Sequence, residues 1–294
     1  MRWSSWDDPP EGAGSPARPV PLRVESTPGP RKIFHSAAYL RSHGRLLLRI
    51  SRADLRARYA GSFLGVGWAV LTPALVLAIY AAVYLVIFKV RVPGLTPVGY
   101  VLYIFAGLVP YLAMAEAVSA GVPSVIANKT VLSNTVFPID LAPVKAVLLS
   151  QATMAVGLGA ILLGSLAFGH LRWISLLVVP LWLLLAIGLV GATWILSLLN
   201  IVLRDLQNFV SAALMVLLVA SPIAYTPQMV PDSLRVFLAI NPFAYYVTAF
   251  QSVLVVGVVP PPTDIAVVVA LSLVIFAVGG WFFARTKAVL IDYV

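Results

Sequence analysis

The sequence predicts an all-α integral membrane protein: six transmembrane helices, an N-terminal amphipathic interface helix, and short re-entrant helices before the last span. Three observations lead there. Of 294 residues, 61% are hydrophobic and 11% charged, with a mean hydropathy of +0.97, whereas soluble domains carry about 25% charged residues. Several apolar runs are long enough to cross about 30 Å of hydrocarbon, which takes about 20 helical residues. The basic residues gather on one side of those runs, as cytoplasmic segments do. Length alone would allow about two soluble domains; one membrane domain is the simpler organisation. The chain has no cysteine, which excludes disulfides and thiolate chemistry.

Residues 1–36 read as a disordered cytoplasmic tail, rich in Pro, Gly, Arg and acidic residues and without the apolar core of a secretory signal. Residues 37–62 hold the expected interface helix. Within it, the stretch HGRLLLRISRADLRARY spaces Arg45, Arg49, Arg52 and Arg56 by four, three and four residues, one basic stripe on a helix. Leu46, Ile50, Ala53 and Ala57 flank it on one side and Leu48, Leu55 and Tyr59 on the other, a pattern suited to a membrane surface. These arginines either only anchor and orient the chain or also bind an anionic ligand.

The rest, 63–294, reads as the six-span domain. The first span covers about 63–88 and closes at Lys89, Arg91 and Pro93. The second, about 98–127, contains Pro110 and one carboxylate, Glu116. The third covers about 146–169; after His170 and Arg172 the fourth covers about 173–203. Arg204 and Asp205 make a polar turn before the fifth, about 206–225, and the last covers about 265–284. With the tail inside, the cytoplasmic side receives every Lys and Arg except Lys89, Arg91, Arg172 and Arg235, so both termini are expected in the cytoplasm. The connection 226–262 is apolar but interrupted by Pro231 and Asn241-Pro242. It reads as a re-entrant or interfacial hairpin; the competing reading starts a seventh span at Asn241-Pro242 and puts Arg285 and Lys287 outside.

A membrane-embedded enzyme needs a catalytic constellation, such as HExxH, paired aspartates or a Ser/His pair, and none is present. His35, His43 and His170 are not spaced for a shared metal. No phosphate-binding GxxxxGK[ST] loop exists, so any use of ATP belongs to a partner. Glu116 is a functional candidate because it lies inside a span; an interhelical hydrogen bond is the plainer role. Tyr80 and Tyr84, four residues apart, share a face of the first span, and Tyr100, Tyr103 and Tyr111 lie on the second. Aromatic rings suit a glycan path and equally suit interface belts.

Three segments together resemble the type-2 permeases of ATP-binding-cassette (ABC) exporters, in the branch that exports lipid-linked polysaccharides such as O antigen, teichoic acid, capsule and galactan. The first is RADLRARYAGSFLGVGWAVLTP, with Asp54-Leu55, Arg58-Tyr59, Ser62, Leu64-Gly65, Trp68 and Pro73 in the family's positions. The second is FAGLVPY followed by ANKTVLSNTVFPIDLAP, in which Asn128 and Phe137-Pro138 match the cytoplasmic loop after the second span. The third is Arg204-Asp205, then SPIAY, Pro231 and Asn241-Pro242. The lysine that commonly precedes Phe-Pro is replaced by Ser133-Asn134-Thr135, and the charged pair after it is reduced to Asp140.

The resemblance implies a homodimer of six-span subunits in the plasma (inner) membrane, bound to two copies of a cytoplasmic ABC ATPase. ATP and Mg would be held by that ATPase, with no cofactor in this chain. It implies a coupling loop at 127–143, with Asn128, Lys129, Thr130, Asn134, Phe137 and Pro138 at the ATPase, and a channel for a lipid-linked glycan, for which Tyr80, Tyr84, Tyr100, Tyr103 and Tyr111 are the candidate lining. Arg45, Arg49, Arg52, Arg56, Arg58 and Tyr59 would take up the lipid pyrophosphate headgroup, because bidentate arginine recognises phosphate well. The partners so implied are the ATPase, a second copy, the glycan and membrane lipids, and no nucleic acid. A type-2 permease for a small drug or lipid is the alternative within the class. A lipid-modifying enzyme, a scaffold or a secondary transporter is the alternative outside it.

Overall fold

A computed structural model of the chain describes residues 44, 51, 61–87, 89, 94–128 and 139–291, all within one unit, Ile33–Val294. Every regular element among them is helical. Helix α1, Trp68–Ala81, follows a 3-10 turn at Gly65–Gly67 and runs on as a π-turn, Ala82–Ile87. It begins later than the apolar run because Gly65 sits at φ +52°, a left-handed conformation that glycine tolerates and a helix does not.

Helix α2, Pro97–Gly121, starts where the Thr96 hydroxyl accepts the Gly99 N–H at 3.0 Å and Pro97 takes the first helical position. The expected span to residue 127 is in fact two pieces. Pro123 has no N–H to continue the ladder, and a short α3, Ser124–Ala127, follows it. Helix α4, Leu141–Ala167, starts before the expected 146, since Pro143 falls in its first turn, where a missing N–H costs little. Helix α5, Val178–Val202, follows a 3-10 turn at Trp173–Leu177. Helix α6, Leu206–Ala220, stops short of the expected 225. Two 3-10 turns lead to α7, Arg235–Ile240, then α8, Pro242–Gln251, prolonged by a π-turn Ser252–Val256, and α9, Pro262–Ile291.

Four of these stretches are long and apolar enough to cross a membrane: Pro97–Gly121, Leu141–Ala167, Trp173–Val202 and Pro262–Thr286. The bent pair Asp232–Ile240 and Pro242–Val256, whose arms meet at 97°, makes five if it crosses as one. The expected broken connection between the fifth and last spans is therefore a pair of helices at a near right angle. Of the expected interface helix only residues 44, 51, 61 and 62 are described, the first two of them helical; the rest lies outside the described residues.

Helix α2 is the centre: most of its residues are buried, whereas most of those of α9 are not. Ile104, Leu108, Tyr111 and Met114 on α2 pack with Leu185 and Leu198 of α5 and Phe250 of α8 in one core. Small residues let backbones meet, as helix packing in lipid requires. Gly191 of α5 lies directly against the backbone of Ile275 and Phe276, and Gly279 of α9 against that of Gly191. Gly157 of α4 receives Val109, and Gly121 of α2 receives Thr193.

Contacts sort the helix ends into two groups. At one end the His170 ring lies against Gly99, the Arg172 side chain covers Gly257, and the Ser175 hydroxyl donates to the Val253 carbonyl at 3.3 Å. At the other, Lys145 at the start of α4 donates to the Asn128 side-chain oxygen at 3.4 Å, and Trp194 of α5 donates to the Asp140 carbonyl at 3.0 Å.

Candidate functional site

The densest polar structure among the described residues is built around the place where α6 stops. Pro222 confines Ser221 to an extended backbone (ψ 141°) and cannot donate into the helix. The break leaves carbonyls at Ala220, Pro222, Ile223 and Ala224 in a mainly apolar interior, where an unpaired one costs several kcal/mol (order of magnitude) in lipid. Side chains take each of them. Tyr225 donates its hydroxyl to the Ala220 carbonyl at 2.8 Å, and Tyr100 of α2 donates to Ala224 at 2.6 Å. The Gln251 amide nitrogen, at the end of α8, donates to Pro222 at 3.1 Å and Ile223 at 3.0 Å, and also faces the Tyr103 carbonyl of α2 at 3.3 Å.

Asn241 stands at the corner of the bent pair. Its side-chain oxygen accepts the Phe243 N–H at 2.9 Å and caps α8, with Pro242 as the first helical residue. Its amide nitrogen donates to the Ser221 hydroxyl at 3.0 Å. The corner of the pair is thus tied to the broken end of α6. Further along, the Tyr111 hydroxyl donates to the Leu214 carbonyl, and the Tyr111 ring meets Phe243 edge-on at 5.7 Å. Tyr246 of α8 bonds Ser272 of α9 at 2.7 Å; Ser272 spends its own proton on the Val268 carbonyl, so Tyr246 is the donor.

The candidate tyrosines on the second span are gathered here, facing inward: Tyr100, Tyr103 and Tyr111 are 2%, 5% and 2% exposed within this protomer. Tyr80 and Tyr84 lie on α1 and its π-turn, and their side chains are outside the described ones. Glu116 is half-buried on α2. Of the coupling-loop candidates, Asn128 closes α3, donating to the Ser124 carbonyl at 2.7 Å. Lys129, Thr130, Asn134, Phe137 and Pro138 lie outside the described residues, as do Arg45, Arg49, Arg52, Arg56, Arg58 and Tyr59.

Sequence reading missed Gln251, Ser221 as a partner of Asn241, and Trp194. Gln251 left one usable signal, a lone amide inside the apolar stretch YYVTAFQSVLVV, where a polar side chain at membrane depth must find a partner. Trp194 left none, because tryptophan in an apolar helix has many uses. Among the described residues no three His, Cys, Asp or Glu side chains converge on a metal position. What the site does with its hydrogen bonds is mechanical: it fixes a broken helix, a central helix and a bent pair against one another.

The helices and this buried polar seam define a multi-pass helical membrane protein. The chain belongs to the ABC-2 type transporter family, whose profile matches residues 45–255. It is similar to the O-antigen export system permease protein RfbA of Myxococcus xanthus, 26% identical over 233 residues, which is 78% of this chain and 88% of that one. It is also similar to two proteins of the same name from Klebsiella pneumoniae. They are 29% and 28% identical over 219 and 221 residues, each match covering 72% of this chain and 81% of theirs.

Proposed function

We propose that the chain is the transmembrane permease subunit of an ATP-driven ABC exporter that moves a lipid-linked polysaccharide, of the O-antigen, teichoic acid or galactan type, from the cytoplasmic side across the plasma membrane. The observation that carries this reading is the similarity to three O-antigen export permeases over 72% to 78% of the chain. Two copies of the chain form the pathway and two copies of a cytoplasmic ATPase bind and hydrolyse ATP with Mg. The chain crosses six times, with α1 and α6 among the spans and the bent pair re-entrant, and both termini are cytoplasmic. The end of the bundle holding Asn128, Asp140 and Lys145 is then the cytoplasmic one, and the loop 127–143 docks on the ATPase. Tyr80 and Tyr84 line the channel, while Tyr100, Tyr103 and Tyr111 brace it from behind.

Co-expression with its genomic neighbours tests the assembly: the tagged chain in detergent should co-elute with an ATPase subunit at equal stoichiometry and with ATPase activity. A lone, inactive chain would return the scaffold and secondary-transporter readings. The basic stripe carries a separate expectation. Arg56→Ala with Arg58→Ala removes two phosphate-binding guanidinium groups, each worth about 1.5 to 3 kcal/mol as a charged hydrogen bond. Glycan export, measured at normal subunit level, should fall by about tenfold or more; unchanged export would leave the arginines as anchors only.

A further inference from the structure

We infer that Gln251 is a positioning residue whose buried amide latches the bent pair to both α2 and the broken end of α6, so that the three move as one body. Gln251 is 1% exposed. Its amide nitrogen joins carbonyls from two other elements, Tyr103 of α2 and Pro222 and Ile223 beyond α6. The amide orientation follows from chemistry, since three converging carbonyls accept only a donor. With two protons for three carbonyls, the longest contact, to Tyr103, is the shared one.

The space around the amide is shaped for it. Gly107 of α2 faces it, and a methyl group at that position would come 2.5 Å from the amide nitrogen and 3.0 Å from Val247. The Gln251 side-chain oxygen, by contrast, has no hydrogen-bond partner. A residue selected only to fill space would leave neither a donor aimed at three carbonyls nor an unpaired oxygen behind it, because burying that oxygen carries a cost a methionine avoids. The donor end is therefore the useful end, and what it fixes is the position of the bent pair. This holds for a transporter of this family whichever substrate crosses it.

The absence of native cysteine makes the test direct. Val253→Cys places a single thiol in the π-turn after Gln251, at a position 0% exposed, in the full chain in membranes. Its reaction with a small permeant maleimide reports opening of the seam. Gln251→Met, similar in length with no donor, should speed labelling about tenfold. Gly107→Ala, which displaces the amide without altering it, should do the same. In a Gln251→Ala background the clash with the amide is gone and only the 3.0 Å approach to Val247 remains, so Gly107→Ala should add much less than it does in the parent. Gln251→Glu gives a reading independent of shape: it keeps a donor only while protonated. Its labelling rate, relative to the Val253→Cys parent at each pH, should therefore rise with pH. Rates within twofold of the parent for Gln251→Met and Gly107→Ala, or a pH-independent ratio for Gln251→Glu, would overturn the latch. Loss of monodisperse protein in every variant would overturn it too, making Gln251 a folding residue.

Discussion

Gly191→Ala should lower the melting temperature of the detergent-solubilised subunit by roughly 10 °C, while Gly159→Ala leaves it unchanged or slightly raised. The contrast follows from what each new methyl group meets. At Gly191 of α5 it would overlap the carbonyl of Ile275 and the Cα of Phe276, which are backbone atoms of α9. At Gly159 of α4 nothing lies within 4 Å. A flexible side chain yields to an intruding methyl; a helix backbone yields only by moving the whole helix. Overpacking costs about 1 to 3 kcal/mol when side chains can adjust, and this contact belongs at the upper end or above, with about 2 to 4 °C lost per kcal/mol for a chain of this size. Gly159→Ala instead gains about 0.5 to 1 kcal/mol of helix propensity.

Gly279→Ala probes the same contact from the other helix, since its methyl would overlap the Gly191 carbonyl. The double variant should cost less than the two single effects added, because one separation of α5 from α9 relieves both. A melting temperature for Gly191→Ala within about 2 °C of the parent would mean that the helices do not meet at these glycines.

Those glycines also mark the boundary of what the sequence can tell. Length and apolar content place the long helices, because a segment that crosses lipid must satisfy its backbone internally. The ends shifted where local chemistry intervened: Gly65 delays α1, Pro123 divides the second run, and Pro222 stops α6 before the run ends. Asn241-Pro242 announced a corner, and the structure supplies its angle of 97°. Periodicity placed Tyr100, Tyr103 and Tyr111 on one helix but could not say which way the helix turns. α2 is the central element, with most of its circumference packed and only a narrow stripe through Val101, Leu112 and Glu116 less buried, so little amphipathic pattern remains to read. Gln251 and Trp194 owe their roles to partners 148 and 54 residues away, and no local spacing encodes such a pairing.

Trp194 carries the other large expected effect, and it links the bundle to the proposed coupling loop. Its ring is 3% exposed, with Phe276 and Phe283 of α9 at 5.5 and 6.2 Å between centroids. Its N–H reaches the carbonyl of Asp140, the last residue before α4. Trp194→Ala should cost about 3 to 5 kcal/mol by leaving a cavity between α5 and α9, read as a melting temperature lowered by more than 10 °C. Trp194→Phe keeps an aromatic ring and gives up the hydrogen bond, so its stability loss should be only about 1 kcal/mol. Its functional effect should be larger. If the loop 127–143 carries the stroke of the ATPase, the bond to Asp140 is where that stroke reaches α5 and, through the tilted rings of Phe276 and Phe283 packed on Trp194, α9. Trp194→Phe in the assembled transporter should then hydrolyse ATP at close to the parent rate while exporting substrate several-fold more slowly. Equal losses in hydrolysis and export would show instead that Trp194 supports the fold and transmits nothing.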